Sequence, residues 1–295
     1  MGTWIAKGKP PFIYKYCSAS RAEQIIKDLQ FYFTPSEKLN DLYEFNALSL
    51  FSEDAESKYR VSAKRLMSEH WFDTFSEALD GAKTALSAED VDSAYLFFLD
   101  QLRPKLMAIR QNSGVTCFSS ERNNQRMWGT YGDGHAGAVV EFSTSPKLSR
   151  FAEHLTPVIY TDLKLPICPS ELMTEKGALN QRMLTLFLCT KHIHWRDEME
   201  WRLLLVADTP QREAERVIPF ERPALTRVFI GPRISPEGEE TLRAAAAGHS
   251  NPVPVFKRQI DEQFAKEEFV GMEEIHSLDQ FHYWAHLSPE DSANS

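Results

Sequence analysis

The amino-acid sequence predicts an α+β fold. Two patterns carry that expectation: short runs of β-branched and aromatic residues outnumber long amphipathic ones, and few of them alternate with helices as a parallel sheet requires. A third observation, 42% hydrophobic and 12% aromatic residues in 295, provides enough apolar side chains for a core of domain size. The expected organisation is a single domain over 1–287, with a helical insertion at about 52–111 and a polar tail at 288–295.

The first strand is F-I-Y-K-Y, Phe12 to Tyr16, entered from Pro10-Pro11. A short helix should follow, because Ser20 with Glu23 three residues on has the form of a capping box. Next comes an aromatic strand, Phe31 to Thr34, closed by Pro35, and Asn40-Asp41 suits a turn. From 52 to 111 the pattern turns helical: Trp71, Phe75 and Leu79 recur at four-residue spacing, as do Tyr95, Phe98 and Leu102 at similar spacing. Those stripes read as helix packing, with a second cap at Ser87 and Asp90.

Strand character returns at Val115 to Ser120 and Gly137 to Phe142. The glycine-rich M-W-G-T-Y-G-D-G-H between them reads as a hairpin or loop, with glycine supplying positive φ. A strand at Val158 to Tyr160 and a helix from about 179 to 191 follow, then strands at W-R-L-L-L-V, R-V-I-P-F and R-V-F-I-G. A helix from Pro236 to Ala247 and a strand at Val253 to Phe256 complete the series, and no internal repeat is present.

Charge narrows the function. Lys and Arg number 33 against 42 acids, a net charge of −9, which argues against a protein that coats nucleic acid or membrane and leaves room only for a local basic groove. The four cysteines, Cys17, Cys117, Cys168 and Cys189, form no CxxC pair, as expected of free thiols in a reducing cytoplasm. No apolar run reaches signal-peptide or membrane-span length, so a cytoplasmic protein without a membrane partner is expected.

The stretch D-E-M-E-W-R-L-L-L-V, Asp197 to Val206, sets carboxylates at the mouth of a buried strand, where an unpaired acid costs several kcal/mol. The acids are either paired or at work. In an extended strand Glu198, Glu200 and Arg202 share one face, as a shared site requires. The plainer alternative is an exposed strand edge whose acids pair with Arg196 and Arg202. His192 and His194 with Cys189 are candidate metal ligands, but no further ligand at a defined spacing accompanies them, and no metal is assigned. The G-T-Y-G-D-G-H run has neither a Walker lysine nor a G-x-G-x-x-G pattern.

Several motifs together resemble the family called domain of unknown function 2971. They are Y-K-Y at 14–16, F-Y-F-T-P-S-E-K-L-N-D-L-Y-E at 31–44, C-F-S-S-E-R and M-W-G-T-Y-G-D-G-H-A-G-A-V-V-E-F within 117–142, K-H-I-H-W-R-D-E-M-E-W-R at 191–202, and F-I-G-P-R at 229–233. Leu42 stands where that family usually has proline after the Asn-Asp pair. The order of the motifs is in turn similar to that of the ADP-ribosyltransferase superfamily. That second resemblance implies mixed, mostly antiparallel sheets of an ADP-ribosyltransferase-like core, with NAD as substrate.

By the same resemblance Lys15 takes the place of the usual cofactor-holding Arg or His, Thr34 after Tyr32 ends the aromatic strand, and Glu198-Met199-Glu200 supplies the E-x-E pair. Glu200 is then the carboxylate beside the ribose and Glu198 the group that orients or deprotonates the acceptor. Tyr14, Tyr32, Thr34, Trp128 and Tyr131 join Lys15 as cofactor-binding residues, with Tyr32 or Phe33 stacking on nicotinamide. The acceptor is an unspecified protein or nucleic acid, the setting a toxin or phage-defence effector, and an antitoxin or other regulatory partner is compatible with it. Two other readings stay open: a metal-dependent nuclease or hydrolase built on Glu198, Glu200, His192 and His194, and a non-catalytic binding module.

Overall fold

The computed structural model describes residues 3–6, 8–39, 104, 107–162, 185, 188–207, 209–258 and 272–275. The expected helical insertion, apart from a helical turn through 107–112, lies outside those residues. So do the Asn40-Asp41 turn, most of the expected helix at 179–191, and the polar tail.

The strands are β1 (Thr3–Ala6), β2 (Phe12–Cys17), β3 (Gln30–Tyr32), β4 (Thr34–Pro35), β5 (Gly114–Ser119), β6 (Ala138–Ser143), buried along its whole length, and β7 (Thr156–Pro157). The series continues with β8 (Ile159–Thr161), β9 (Thr190–His192), β10 (Glu200–Leu205), β11 (Val217–Pro219), β12 (Leu225–Ile230), β13 (Val255–Lys257) and β14 (Met272–Ile275). The main sheet runs β13-β12-β6-β2-β5-β10-β7, with β4 also paired to β5; a second sheet runs β14-β1-β8-β9, and β11 pairs with β3. Only β12–β13 and β8–β9 are parallel among the described pairings. The chain is therefore α+β with mixed sheets.

Three α-helices are described in full: α1 (Ala19–Asp28), α2 (Gln125–Thr130) and α3 (Pro236–Ala247). The expected cap of α1 is displaced. Ser18, with extended backbone, accepts the Arg21 N–H, while Ser20 lies inside the helix and Glu23 pairs with Lys27. Helix α3 spans the expected residues because Ser235 caps the Gly238 N–H and Pro236 fits the first turn. The strand expected from Val253 begins later, at Val255, and β14 follows it.

Helices α1 and α3 cover one face of the main sheet. Ala22, Ile25 and Ile26 of α1 and Leu242, Ala245 and Ala246 of α3 join Ile13, Val140, Phe142, Val228 and Ile230 in one core. At its centre Phe31 stacks on Phe220 at 4.5 Å and meets Phe118 and Phe142 edge-on. Each such ring buried contributes about 1.5–3 kcal/mol. Phe33 is also in this core, and it interrupts the expected strand from Phe31 to Thr34 by donating its N–H to Arg216 O.

The opposite face carries the glycine-rich stretch, which is a short helix followed by a 3₁₀ turn rather than a plain loop. Asn124 starts α2 by accepting the Met127 N–H, and Trp128, 0% exposed, roots the helix on Tyr16 and Val139. Gly134 adopts φ 59°, as the turn requires, and a Cβ on Gly137 would lie 2.2 Å from Cys17 O. That close crossing ties the turn to the end of β2.

Candidate functional site: a buried acid pair at a fork in the sheet

Strand β2 pairs with β6 over six residues, but with β5 at Tyr14↔Ser119 alone. The sheet forks there. The fork opens a cleft of about 240 Å³, bordered by β2, β4, β5, α2 and the turn before β10. Tyr14, Lys15, Thr34, Tyr131, Glu198 and Glu200 all line it, so six of the residues singled out in the sequence come together. Cys117, Lys38 and Lys191 line it as well.

The two acids do not reach the cleft by strand alternation. Residues Ile193–Glu198 form a 3₁₀ helix, and Met199 turns the chain in the left-handed region, φ 45°, before β10 begins at Glu200. Ser120 N–H holds that bend at Met199 O, and the Asn124 side-chain amide donates to Asp197 O. The expected single strand face therefore becomes a turn-and-strand corner. Both carboxylates still meet one cation: Lys191 Nζ lies 2.6 Å from Glu198 Oε2 and 3.2 Å from Glu200 Oε2.

Each acid has further partners. Arg202 grips Glu200 with two prongs, Nε to Oε1 at 2.7 Å and Nη2 to Oε2 at 3.0 Å, and its Nη1 donates to Leu188 O. The nearby Cys117 thiol also acts to lower the Glu200 pKa. Tyr131 Oη donates to Glu198 Oε1 at 2.7 Å. Lys191, Glu198, Glu200 and Arg202 are each 5% exposed or less, so the exposed-edge alternative is overturned: β10 lies between β5 and β7, and Arg196 turns to Asp197 and the Trp4 ring. The pairing with Arg202 anticipated from the sequence is present.

The environments drive the two acids apart in ionisation. Burial acts to raise the Glu200 carboxyl, but the Arg202 guanidinium and Lys191 ammonium outweigh it and hold the group well below the usual carboxylate range. Burial raises Glu198, and the adjacent Glu200 charge adds to it, against the pull of Lys191. Glu200 is thus the stronger acid of the two and Glu198 the weaker. Across the fork, burial lowers the Lys15 ammonium, whose Nζ donates to Cys117 O at 3.1 Å and sits over the Phe118 ring.

Glu200 also ends a polar row laid across the sheet. The register runs Arg227↔Glu141, Glu141↔Tyr14, Tyr14↔Ser119 and Ser119↔Glu200 over five strands. Glu141 is fully buried, accepts from Arg227 Nε and Thr226 Oγ1, and together with burial raises the Tyr14 hydroxyl pKa. Tyr14 is the point where this row enters the cleft.

Other expected residues lie elsewhere. Tyr32 faces away, under the Arg21 guanidinium and donating to Glu213, and Phe33 is core; neither lines the cleft. Trp128 is sealed beneath α2 with its Nε1 donating to Arg122 O. His192 is exposed and accepts the His194 N–H, and no three of His, Cys, Asp and Glu gather as metal ligands among the described residues. Cys17, Cys117 and Cys189 form no disulfide among the described residues. No described helix is long and apolar enough to cross a membrane.

Lys191 is the residue the sequence reasoning missed. Its only signal was its place at the head of the K-H-I-H-W-R-D-E-M-E-W-R stretch, seven residues before Glu198. Comparison with known proteins singles out the same segment. Residues 127–203 match the family model of DUF2971, a protein family of unknown function. The DUF2971 match begins in α2 and ends in β10, so it contains Tyr131, Lys191, Glu198, Glu200 and Arg202, the whole acid cluster with its cations. Lys15 and Thr34 lie outside it. No curated protein and no solved structure matches the chain.

Proposed function

We propose that the cleft binds NAD and transfers its ADP-ribose to a macromolecular acceptor, as an ADP-ribosyltransferase-like enzyme. One observation carries this reading: across the fork between β2 and β5, a lysine ammonium and two carboxylates of divergent ionisation face the same cleft. The cleft, about 240 Å³, is smaller than the roughly 300–1,000 Å³ of a full small-molecule pocket, which suits the reacting nicotinamide riboside half of the dinucleotide.

In that reaction the bond from nicotinamide nitrogen to ribose C1′ breaks, nicotinamide leaves neutral, and positive charge develops on the ribose. Glu200, kept ionised by Arg202, supplies the opposing charge in a partly dry site, where such stabilisation is strong. The acceptor's hydroxyl or amine attacks C1′ and gives its proton to Glu198, whose raised pKa suits that task. Lys15 and, at the rim, Lys38 meet phosphate, and Tyr14, Thr34 and Tyr131 wall the sugar and ring. The toxin or phage-defence setting and the regulatory partner belong to the same proposal and rest on the resemblance alone.

The competing readings fit the geometry less well. A metal-dependent hydrolase needs His192 and His194 to converge with the acids, and they face solvent instead. A binding module accounts for paired acids but not for their place in the lining of a cleft that Lys15 also lines. Calorimetric titration of the full chain with NAD tests the proposal. Saturable binding, weakened in Lys15→Ala and retained in Glu198→Gln with loss of NAD consumption, is expected; absence of heat at millimolar NAD overturns it.

A further inference from the structure

Beside the cleft, the face of the sheet that carries α2 bears a patch whose charge runs against that of the chain. Phe229 of β12 and Phe256 of β13 stand opposite each other in register and stack at 5.6 Å with planes 23° apart. Phe256 is 49% exposed. The Arg122 guanidinium lies 4.5 Å over the Phe229 ring. Two residues beyond Phe256 on the same side, Arg258 lies over Trp128 and within 3.5 Å of His135 Nδ1, and Arg233 reaches Gly134 O of the same turn.

Arg122, Arg233 and Arg258 have no carboxylate partner among the described residues. That is unusual in a chain with net charge −9, where acids outnumber bases and nearby Arg243 and Lys257 are both neutralised by Glu239. Burial, with the charges of Arg258 and Arg233, lowers the His135 pKa. Three guanidinium groups with no carboxylate partner among the described residues, set around an exposed Phe256 ring backed by Phe229, match a chain of phosphates with unpaired bases. An acidic peptide would use the charges and leave the phenylalanines without a role.

We infer that this arginine and phenylalanine patch binds single-stranded nucleic acid, with bases stacking on Phe256, which Phe229 backs, and phosphates meeting Arg122, Arg233 and Arg258. The patch adjoins the cleft through Tyr14, which lines the cleft, feels the Arg122 charge and packs on the same Tyr16 and Trp128 cluster as Phe229. Binding here is independent of the reaction proposed for the cleft; if both hold, the bound strand is the acceptor.

Fluorescence anisotropy with labelled twelve-nucleotide mixed-sequence RNA and DNA strands, their duplexes and polyglutamate tests the inference on the full chain. Single strands are expected to bind, and affinity to fall on the order of tenfold between ~50 and ~200 mM salt if three phosphates are met. Phe256→Ala and Arg122→Gln, at surface positions that leave the thermal melt unchanged, each weaken binding about fivefold or more. Lys257→Gln, on the opposite face, leaves it unaltered. Preference for RNA or for DNA supports the site and identifies its strand. Equal binding of duplex or polyglutamate, wild-type affinity in both patch variants, or no binding at low salt overturns it.

Discussion

Lys191 and Glu198 lie seven residues apart in the chain and 2.6 Å apart in space, and the same ammonium reaches Glu200 at 3.2 Å. A single cation thus holds two buried acids together at the corner where a 3₁₀ turn becomes strand β10. Without it the carboxylates retain their mutual repulsion and lose the shared counter-charge. Lys191→Met is therefore expected to destabilise the chain by about 3–5 kcal/mol, the cost of stripping one partner from a buried charge network. Urea unfolding measures it; a midpoint within error of wild type would mean that Lys191 is not the clamp.

The two glutamates should differ sharply as amides. Glu200→Gln leaves the Arg202 guanidinium, 0% exposed, without its bidentate partner and should cost about 3–5 kcal/mol. Glu198→Gln keeps an oxygen for Tyr131, and Lys191 keeps Glu200, so its cost should be well under half of that. Loss of activity in Glu200→Gln is thus a poor probe of catalysis, and Glu198→Gln the better one. Thermal melts of the pair decide the order, and equal melting temperatures would contradict the geometry.

Acid strength gives the pair opposite pH signatures. Glu198 has a folded pKa above its ordinary value of 4.5, so its contribution to stability is full below that value and is lost as pH rises through the folded pKa. Glu200 is depressed, so its contribution is present above 4.5 and is lost as pH falls through its folded pKa. The stability gap between wild type and Glu198→Gln should shrink as pH rises from 4.5 through the folded pKa, while that of Glu200→Gln is full above 4.5 and shrinks as pH falls below it. Unfolding curves across that range measure both, and two gaps that move in the same direction would refute the assignment.

Local patterns made much of the fold legible. Ser235-Pro236 marks the start of α3 and F-I-Y-K-Y its strand because caps and alternation act within a few residues. The site was legible where side chains carry their own chemistry: Lys15, Thr34, Tyr131 and the acids do line one cleft. Lys191 was not, because its meaning depends on partners seven and nine residues away around a bend created by left-handed Met199, a conformation no local composition announces. Trp128 misled for the same reason. Its aromatic face reads equally well as pocket wall or core, and only packing beneath α2 decides.

Asn124 joins two parts of the site that sequence distance separates. Its side-chain oxygen caps α2 at the Met127 N–H, and its amide nitrogen donates to Asp197 O in the turn that delivers Glu198. Its backbone N–H is fixed by Tyr16 Oη. Asn124→Ala removes the cap at a cost of about 1 kcal/mol, and it also frees the Asp197 turn from α2, the helix after which Tyr131 reaches Glu198. Asn124→Asp restores the cap acceptor without the donor. If the tie to Asp197 positions Glu198, NAD consumption should fall in both variants while only the alanine form loses thermal stability. Full activity in Asn124→Asp would reduce Asn124 to a helix cap.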